Sequence, residues 1–240
     1  MPLELSKKIY LTLGFAFAAG WADVIGFVRY ASFAALQTGN AVKLGKAASI
    51  KKPSTGEDVA FYACVFLSYI AGCVLFEEIK RRVPTRPSRV AAPVCFTLIL
   101  ASDLLYEKIG LSRWQICLLA PDFGIQNSFT FTGAMATNTT LITGNMAKLS
   151  IAINKSLHCG FPPLRDFVIP LCTVLATIVA AIAGGFTLVY CTDMDVSWLL
   201  IPSGVIQVIC MLLHDFWLQP GSKITSRIAP VQGAKRRRCN

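Results

Sequence analysis

The sequence predicts an all-α fold: a polytopic membrane helix bundle of six transmembrane helices arranged as two inverted three-helix repeats. Three features carry this expectation: an apolar composition, apolar blocks of bilayer-spanning length, and a seven-residue motif that occurs once in each half. Of the 240 residues 54% are hydrophobic and 15% charged, with a mean hydropathy of +0.57. That is far more apolar than a soluble domain. The apolar residues gather in blocks of about 17 to 25, the length a helix needs to cross a hydrocarbon core of about 30 Å. Backbone groups in lipid must bond within their own segment, and alternating ten-residue strands are missing from the sequence, so the blocks are expected as helices rather than barrel strands.

The blocks fall at 9–33, 58–77, 90–106, 114–135, 166–190 and 196–217. The first runs too long for the apolar core of a secretory signal and is taken as a span. The first three make repeat one (about 9–106) and the last three repeat two (about 114–217), within a single transmembrane domain over 1–220. A basic tail follows over 221–240. The nine cysteines are scattered, mostly inside apolar blocks and without a C-x-x-C pair, so they are expected to serve as small packing residues.

The net charge of +10 raises the question of a nucleic-acid partner. The basic residues lie between the apolar blocks without interleaved aromatic residues, which is the pattern of the positive-inside bias and not of a nucleic-acid surface. With alternating spans, one side collects 16 of the 23 Lys and Arg residues, including Lys7, Lys8, Lys80, Arg81, Arg82, Lys148, Lys155 and Arg165. The other side collects 6, among them Lys43, Lys46, Lys51 and Lys52. Both termini are therefore expected in the cytoplasm, with membrane lipids as partners. Arg29 falls near the outer end of the first span, where its side chain is expected to snorkel to headgroups.

The repeat is visible in one element. Thr38-Gly39-Asn40-Ala41-Val42-Lys43-Leu44 matches Thr143-Gly144-Asn145-Met146-Ala147-Lys148-Leu149 at five of seven positions, 105 residues apart. After a one-residue slip, Gly20 aligns with Gly124 and Asp23 with Asn127. An odd number of spans per half turns the second copy upside down, the plan of many secondary transporters.

These repeated segments hold the candidate site. Threonine and asparagine cap helix starts by accepting hydrogen bonds from free N–H groups, so each T-G-N is expected to begin a short helix. A helix start within the bilayer presents free N–H groups and a positive dipole end to an anion or carboxylate, with Lys43 and Lys148 one turn later. A tight turn between span and interfacial helix explains the same residues equally well. Asp23 lies deep in the first span and is expected to face the bundle interior, because an ionised carboxylate in lipid needs a partner or water. In the fourth span Asp122, Gln126 and Thr130 recur every four residues along one face, with Asn127 beside them. These groups line a solute pathway, carry protons, or fix packing through interhelical hydrogen bonds.

Other patterns fail on their chemistry. Gly39 to Lys46 is not a phosphate loop, because Leu44 occupies the second glycine position and Ala47 stands where Ser or Thr must follow the lysine. His158 and His214 lack metal-ligand spacing and have no evident nucleophile, so no metal, cofactor or enzymatic activity is expected.

The stretch Ala19-Gly20-Trp21-Ala22-Asp23 through Thr38-Gly39-Asn40, followed by Gly124-Ile125-Gln126-Asn127 and Thr143-Gly144, resembles the YoaK-like family of small multipass membrane proteins, a domain-of-unknown-function family. The resemblance implies a six-helix membrane domain and carries no catalytic residues. The residues favour a secondary transporter or channel for a small solute, with an anion or carboxylate preferred; a non-transporting scaffold or accessory subunit is the alternative.

Overall fold

The computed structural model describes residues 3–49, 55–110, 112–132, 135, 137–140, 142–159, 163–190 and 198–218. Helices α1 (Leu3–Tyr30), α2 (Gln37–Ser49), α3 (Thr55–Arg82) and α4 (Ser88–Ile109) form the first half. A 3-10 turn at Arg113–Gln115 leads into α5 (Ile116–Thr132), α6 (Ile142–Cys159), α7 (Leu164–Tyr190) and α8 (Ile201–Leu218). The tail at 221–240, Lys51 and Lys52 lie outside the described residues.

Among the described residues five helices are long and apolar enough to cross a bilayer: α1 from Glu4, α3 from Gly56, α4, α7 and α8. The chain is thereby marked as an integral membrane protein. The expected fourth span at 114–135 contains α5, which has only 17 residues, about 26 Å at 1.5 Å per residue. Ten of those residues are buried, which makes α5 the enclosed helix of the bundle.

The packing suits a lipid solvent. On α7 the residues facing inward include Thr173, Ala176, Ala180 and Gly184, while Leu175, Ile178, Val179, Ile182 and Phe186 face outward. Small residues inside let backbones approach closely, and large apolar residues outside meet acyl chains. Close approach is most pronounced at four glycines. A Cβ on Gly72 would lie 2.0 Å from the Pro121 carbonyl oxygen, and one on Gly124 would lie 2.2 Å from that of Tyr69. On the other side of the bundle, a Cβ on Gly20 would lie 2.5 Å from the Thr177 oxygen, and one on Gly14 would lie 2.2 Å from Cys210 Sγ.

These contacts fix the helix directions. α3 and α5 run parallel, joined by Arg113 to Glu57 and Asp58 at one end and by Lys80 to Thr132 at the other. α1 and α7 also run parallel, through Gly20 at Thr177 and Gly184 at Trp21 and Val24. α8 runs antiparallel to α1, with Cys210 at Gly14, Ser203 at Ala18 and Leu199 at Trp21. It is antiparallel to α4 as well, with Gly204 against Ile99 and Leu200 N bonded to Asp103. α2 packs on α3, and α6 on α7.

α1 stops at Tyr30, three residues before the end of its apolar block, because Ala31 adopts the left-handed conformation at φ 52°. An L-residue with a Cβ is strained there, and glycine is not. Ala31→Gly is expected to stabilise the protein by about 0.5–1 kcal/mol, measured as a raised unfolding midpoint in detergent.

Candidate functional site

Both repeated motifs sit where the chain folds back beside the helix it has just left. Helices α2 and α6 begin at Gln37 and Ile142, each one residue ahead of its T-G-N, so the motif occupies the first helical turn rather than capping it. The asparagine points backwards in both copies. Asn40 Nδ2 donates to the Phe33 carbonyl and Asn145 Nδ2 to that of Asn138, each seven residues upstream and each at 2.7 Å. Asn40 Oδ1 also accepts from Ser32 Oγ at 2.8 Å and Phe33 N at 3.0 Å. Asn40 and Asn145 are buried, whereas Thr38 and Thr143 are exposed. Gly39 lies against the Phe33 ring, and nothing approaches Gly144. A buried amide that satisfies a reversing backbone contributes about 1–3 kcal/mol. Asn40→Ala is accordingly expected to destabilise by an amount in that range, read from unfolding in detergent.

A second clamp comes from the preceding helix. Asp23 Oδ1 accepts from Ala35 N at 2.7 Å and Leu36 N at 3.4 Å, so the protein's own carboxylate takes amides just ahead of α2. In the second copy the aligned Asn127 Oδ1 accepts from Thr140 Oγ1 at 3.0 Å. Tyr69 of α3 stands between the copies, within hydrogen-bonding reach of Thr140 and within electrostatic range of Asp23.

The lysines do not meet. Lys43 donates to the Ala31 carbonyl and lies over the rings of Phe27 and Phe33 at 4.4 and 5.0 Å; burial there holds its ammonium pKa below the ordinary value. Lys148 lies at the opposite end of the bundle, in a cavity between α6 and the start of α7. Arg29 does not snorkel: only 8% exposed, it pairs with Asp103 Oδ1 at 2.9 Å and stacks 4.1 Å from the Tyr106 centroid. A carboxylate on α4 was available at the same depth, and enclosing the pair avoids exposing either charge to lipid.

At mid-height the bundle is polar. Gln126 Nε2 bonds the Phe15 carbonyl at 3.0 Å, near the middle of the 28-residue α1, and reaches Thr139 Oγ1 at 3.4 Å. Thr130 Oγ1 lies 3.3 Å from the same hydroxyl. One turn earlier on α5, the fully buried Asp122 has Cys95 of α4 and Gln207 of α8 as polar neighbours. Neither completes a hydrogen bond of good geometry, and among the described residues both Asp122 oxygens and both Gln207 side-chain polar atoms lack such a partner. The seam continues along α8 through Ser203, Gln207 and His214 on one buried face. His214 lies 3.4 Å from Asp215 and packs on Phe129, with its Nε2 buried and unpartnered. An apolar cluster closes each side, one around Ile25, Ile99 and Phe123, the other around Phe15, Phe129 and Met211.

Gln207 was not singled out from the sequence, and His214 was weighed there only as a metal ligand or catalytic base. The signal that finds them is the one that found Asp122 and Gln126, polar residues recurring on one helical face. Among the described residues no group of three or more His, Cys, Asp or Glu side chains is placed to hold a metal ion.

Comparison with curated proteins and with solved structures finds no match. The family model described as "Protein of unknown function (DUF1275)" matches residues 11–213, most of the chain, including both fold-backs and the seam from Asp122 to Gln207. The protein belongs to the DUF1275 family.

Proposed function

We propose that the protein is a secondary transporter or channel for a small solute, built from six membrane-crossing helices in two inverted halves. The observation that carries this is the mid-height seam of Asp122, Gln126, Thr130 and Gln207, where among the described residues the Asp122 carboxylate, Gln126 Oε1 and the Gln207 amide complete no hydrogen bond of good geometry. An unpaired polar group in a low-dielectric interior costs about 1–3 kcal/mol, more if charged, and is retained where it meets a solute, a proton or water.

The helix packing supports the inverted halves. Exchanging α1 with α5, α2 with α6, α3 with α7 and α4 with α8 maps the α1–α7 pair onto α5–α3, both parallel. It maps α1–α8 onto α5–α4, and α2–α3 onto α6–α7. The matched asparagine bonds at positions 40 and 145 follow the same exchange. On this plan α5 crosses with help from the 3-10 turn before it, both termini are cytoplasmic, and the fold-backs enter from opposite faces, as the broken helices of transporters do. The kinship with YoaK-like proteins stays with the A-G-x-x-D and G-x-Q-N motifs.

An anion or carboxylate is the substrate class favoured by the basic balance and by two helix starts within the bundle. Asp23 already answers the first of these starts, which leaves the Asn127 copy as the one without its own carboxylate. Asp23, Asp122, Gln126 and Asn127 are the pathway's polar groups. Asn40, Lys43 and Asn145 tie the half-helices back to the preceding chain, and Thr38, Gly39, Thr143, Gly144 and Lys148 belong to the same repeated motifs. No catalytic step is assigned to any of them.

The test is uptake of a panel of anions and neutral solutes into proteoliposomes. At least one solute is expected to enter faster than into empty vesicles, with flux cut roughly tenfold or more by Asp122→Ala, on the scale of about 1.4 kcal/mol or more of lost interaction. No flux for any solute, from protein shown to be folded, would favour the scaffold role instead.

A further inference from the structure

At the end of the bundle that carries Lys8, Arg81 and Arg165, a cavity of about 330 Å³ opens between α6 and the start of α7. Lys148, Ile151, Ala152 and Lys155 line it from α6 at i, i+3, i+4 and i+7, so they share one helical face. Arg165, Asp166, Ile169 and Pro170 close it from the first two turns of α7. Its charge is unbalanced, with three cationic side chains against the single carboxylate of Asp166. Among the described residues none of the three cations makes an ion pair, whereas Arg81 and Arg82 at the same end both pair with Glu78. Arg165 also lies within electrostatic range of Lys8 on α1, whose charge Glu4 partly offsets. The amide dipoles of α7 begin at this cavity and add positive potential.

The apolar part of the lining narrows the ligand. Ile169 and Pro170 in its lining are buried, while Ile151 is 56% exposed. Ile153 and Leu157 are exposed as well, on the side of α6 turned away from the cavity. A helix that shows both lysines and bare isoleucine and leucine is suited to the boundary between headgroups and acyl chains. Three cations lining one cavity with apolar side chains match a phosphate group attached to a hydrocarbon body.

We propose that this cavity binds a phosphate group, of the kind an anionic phospholipid headgroup carries. The site stands apart from the mid-height seam and does not depend on solute transport.

The test uses the full chain in nanodiscs of phosphatidylcholine, with and without phosphatidylglycerol, and reads lipid retention by native mass spectrometry. Wild type is expected to retain phosphatidylglycerol in preference to phosphatidylcholine. Lys148→Gln/Arg165→Gln is expected to lose roughly tenfold or more of that preference, as neutralising two basic groups near an anionic surface predicts. Arg81→Gln/Arg82→Gln, with equal charge removed at the same end, should retain it. Lys155→Gln alone, at an exposed position, gives a second readout should the double variant fail to fold, and Lys148→Arg should rescue. A parallel arm titrates inorganic phosphate in discs without phosphatidylglycerol. Binding there with the same dependence on Lys148 and Arg165 supports the phosphate site and assigns it to a soluble anion. Equal lipid preference in wild type and cavity variants, or equal loss in the Arg81/Arg82 control, would overturn the proposal.

Discussion

Asp103→Ala is expected to cost about 3–5 kcal/mol of stability, the range for stripping one partner from a buried ion pair. The Asp103 side chain is fully enclosed and does two tasks, accepting from Arg29 at 2.9 Å with one oxygen and from Leu200 N at 2.9 Å with the other. Its loss leaves a guanidinium that is 4% exposed at the side chain and an orphaned amide at the entrance to α8. Arg29→Ala should cost a similar amount for the complementary reason. Replacing both residues together, as Arg29→Met with Asp103→Leu, should recover most of the loss, since no unpaired charge remains. The measurement is unfolding in detergent for both single variants and the double. If Arg29→Ala falls within about 0.5 kcal/mol of wild type, the margin usual for exposed positions, its guanidinium is solvated and the enclosed pair is wrong.

Gly72→Val and Gly124→Val are expected to be worse still, in yield of folded protein as well as in stability. At both sites the new Cβ would meet a main-chain carbonyl on the facing helix, that of Pro121 at 2.0 Å or of Tyr69 at 2.2 Å. A flexible side chain could yield to such contact, but a helix backbone must shift as a body. α3 and α5 would separate, loosening Tyr69 from Thr140 and the seam from its support. Overpacking ordinarily costs about 1–3 kcal/mol, and a backbone clash belongs at or above the upper end. Gly185→Ala and Gly45→Ala are the controls, because nothing lies within 4 Å of either position. Each should be neutral or stabilising by up to about 1 kcal/mol, the usual helical preference for alanine over glycine. Monodisperse yield and unfolding midpoint, measured on all four variants, separate the two classes.

The sequence made the apolar helices legible because bilayer thickness sets a length and lipid forbids charge, and both constraints are local. The seven-residue repeat was legible for the same reason, and it led to the two fold-backs. What each motif does was less visible. Asp23 announced itself as an expensive carboxylate, but its partners are the amides of Ala35 and Leu36, which reach it only because the chain reverses after Tyr30. Thr38 and Gly39 drew attention by repetition, although the buried hydrogen bonding belongs to Asn40. Arg29 was placed at the headgroups because periodicity cannot reveal a carboxylate 74 residues away. Gln207 was missed although its spacing from Ser203 obeys the rule that found Asp122 and Gln126, since a glutamine in an apolar helix looks less costly than an aspartate. The α6–α7 cavity needed the packing of two helices, which no local pattern supplies.

The inversion of the two halves is the claim on which the rest depends, and sided labelling tests it directly. In a version with all nine cysteines replaced, Lys46→Cys near the end of α2 and Asn154→Cys near the end of α6 are each exposed positions. Each variant, in sealed vesicles of known orientation, is treated with a membrane-impermeant maleimide from one face and then from the other. Inverted halves predict that the cysteine at 46 reacts only from the outer face and the cysteine at 154 only from the cytoplasmic face. Reaction of both from the same face would contradict the inverted arrangement and the transport pathway built on it.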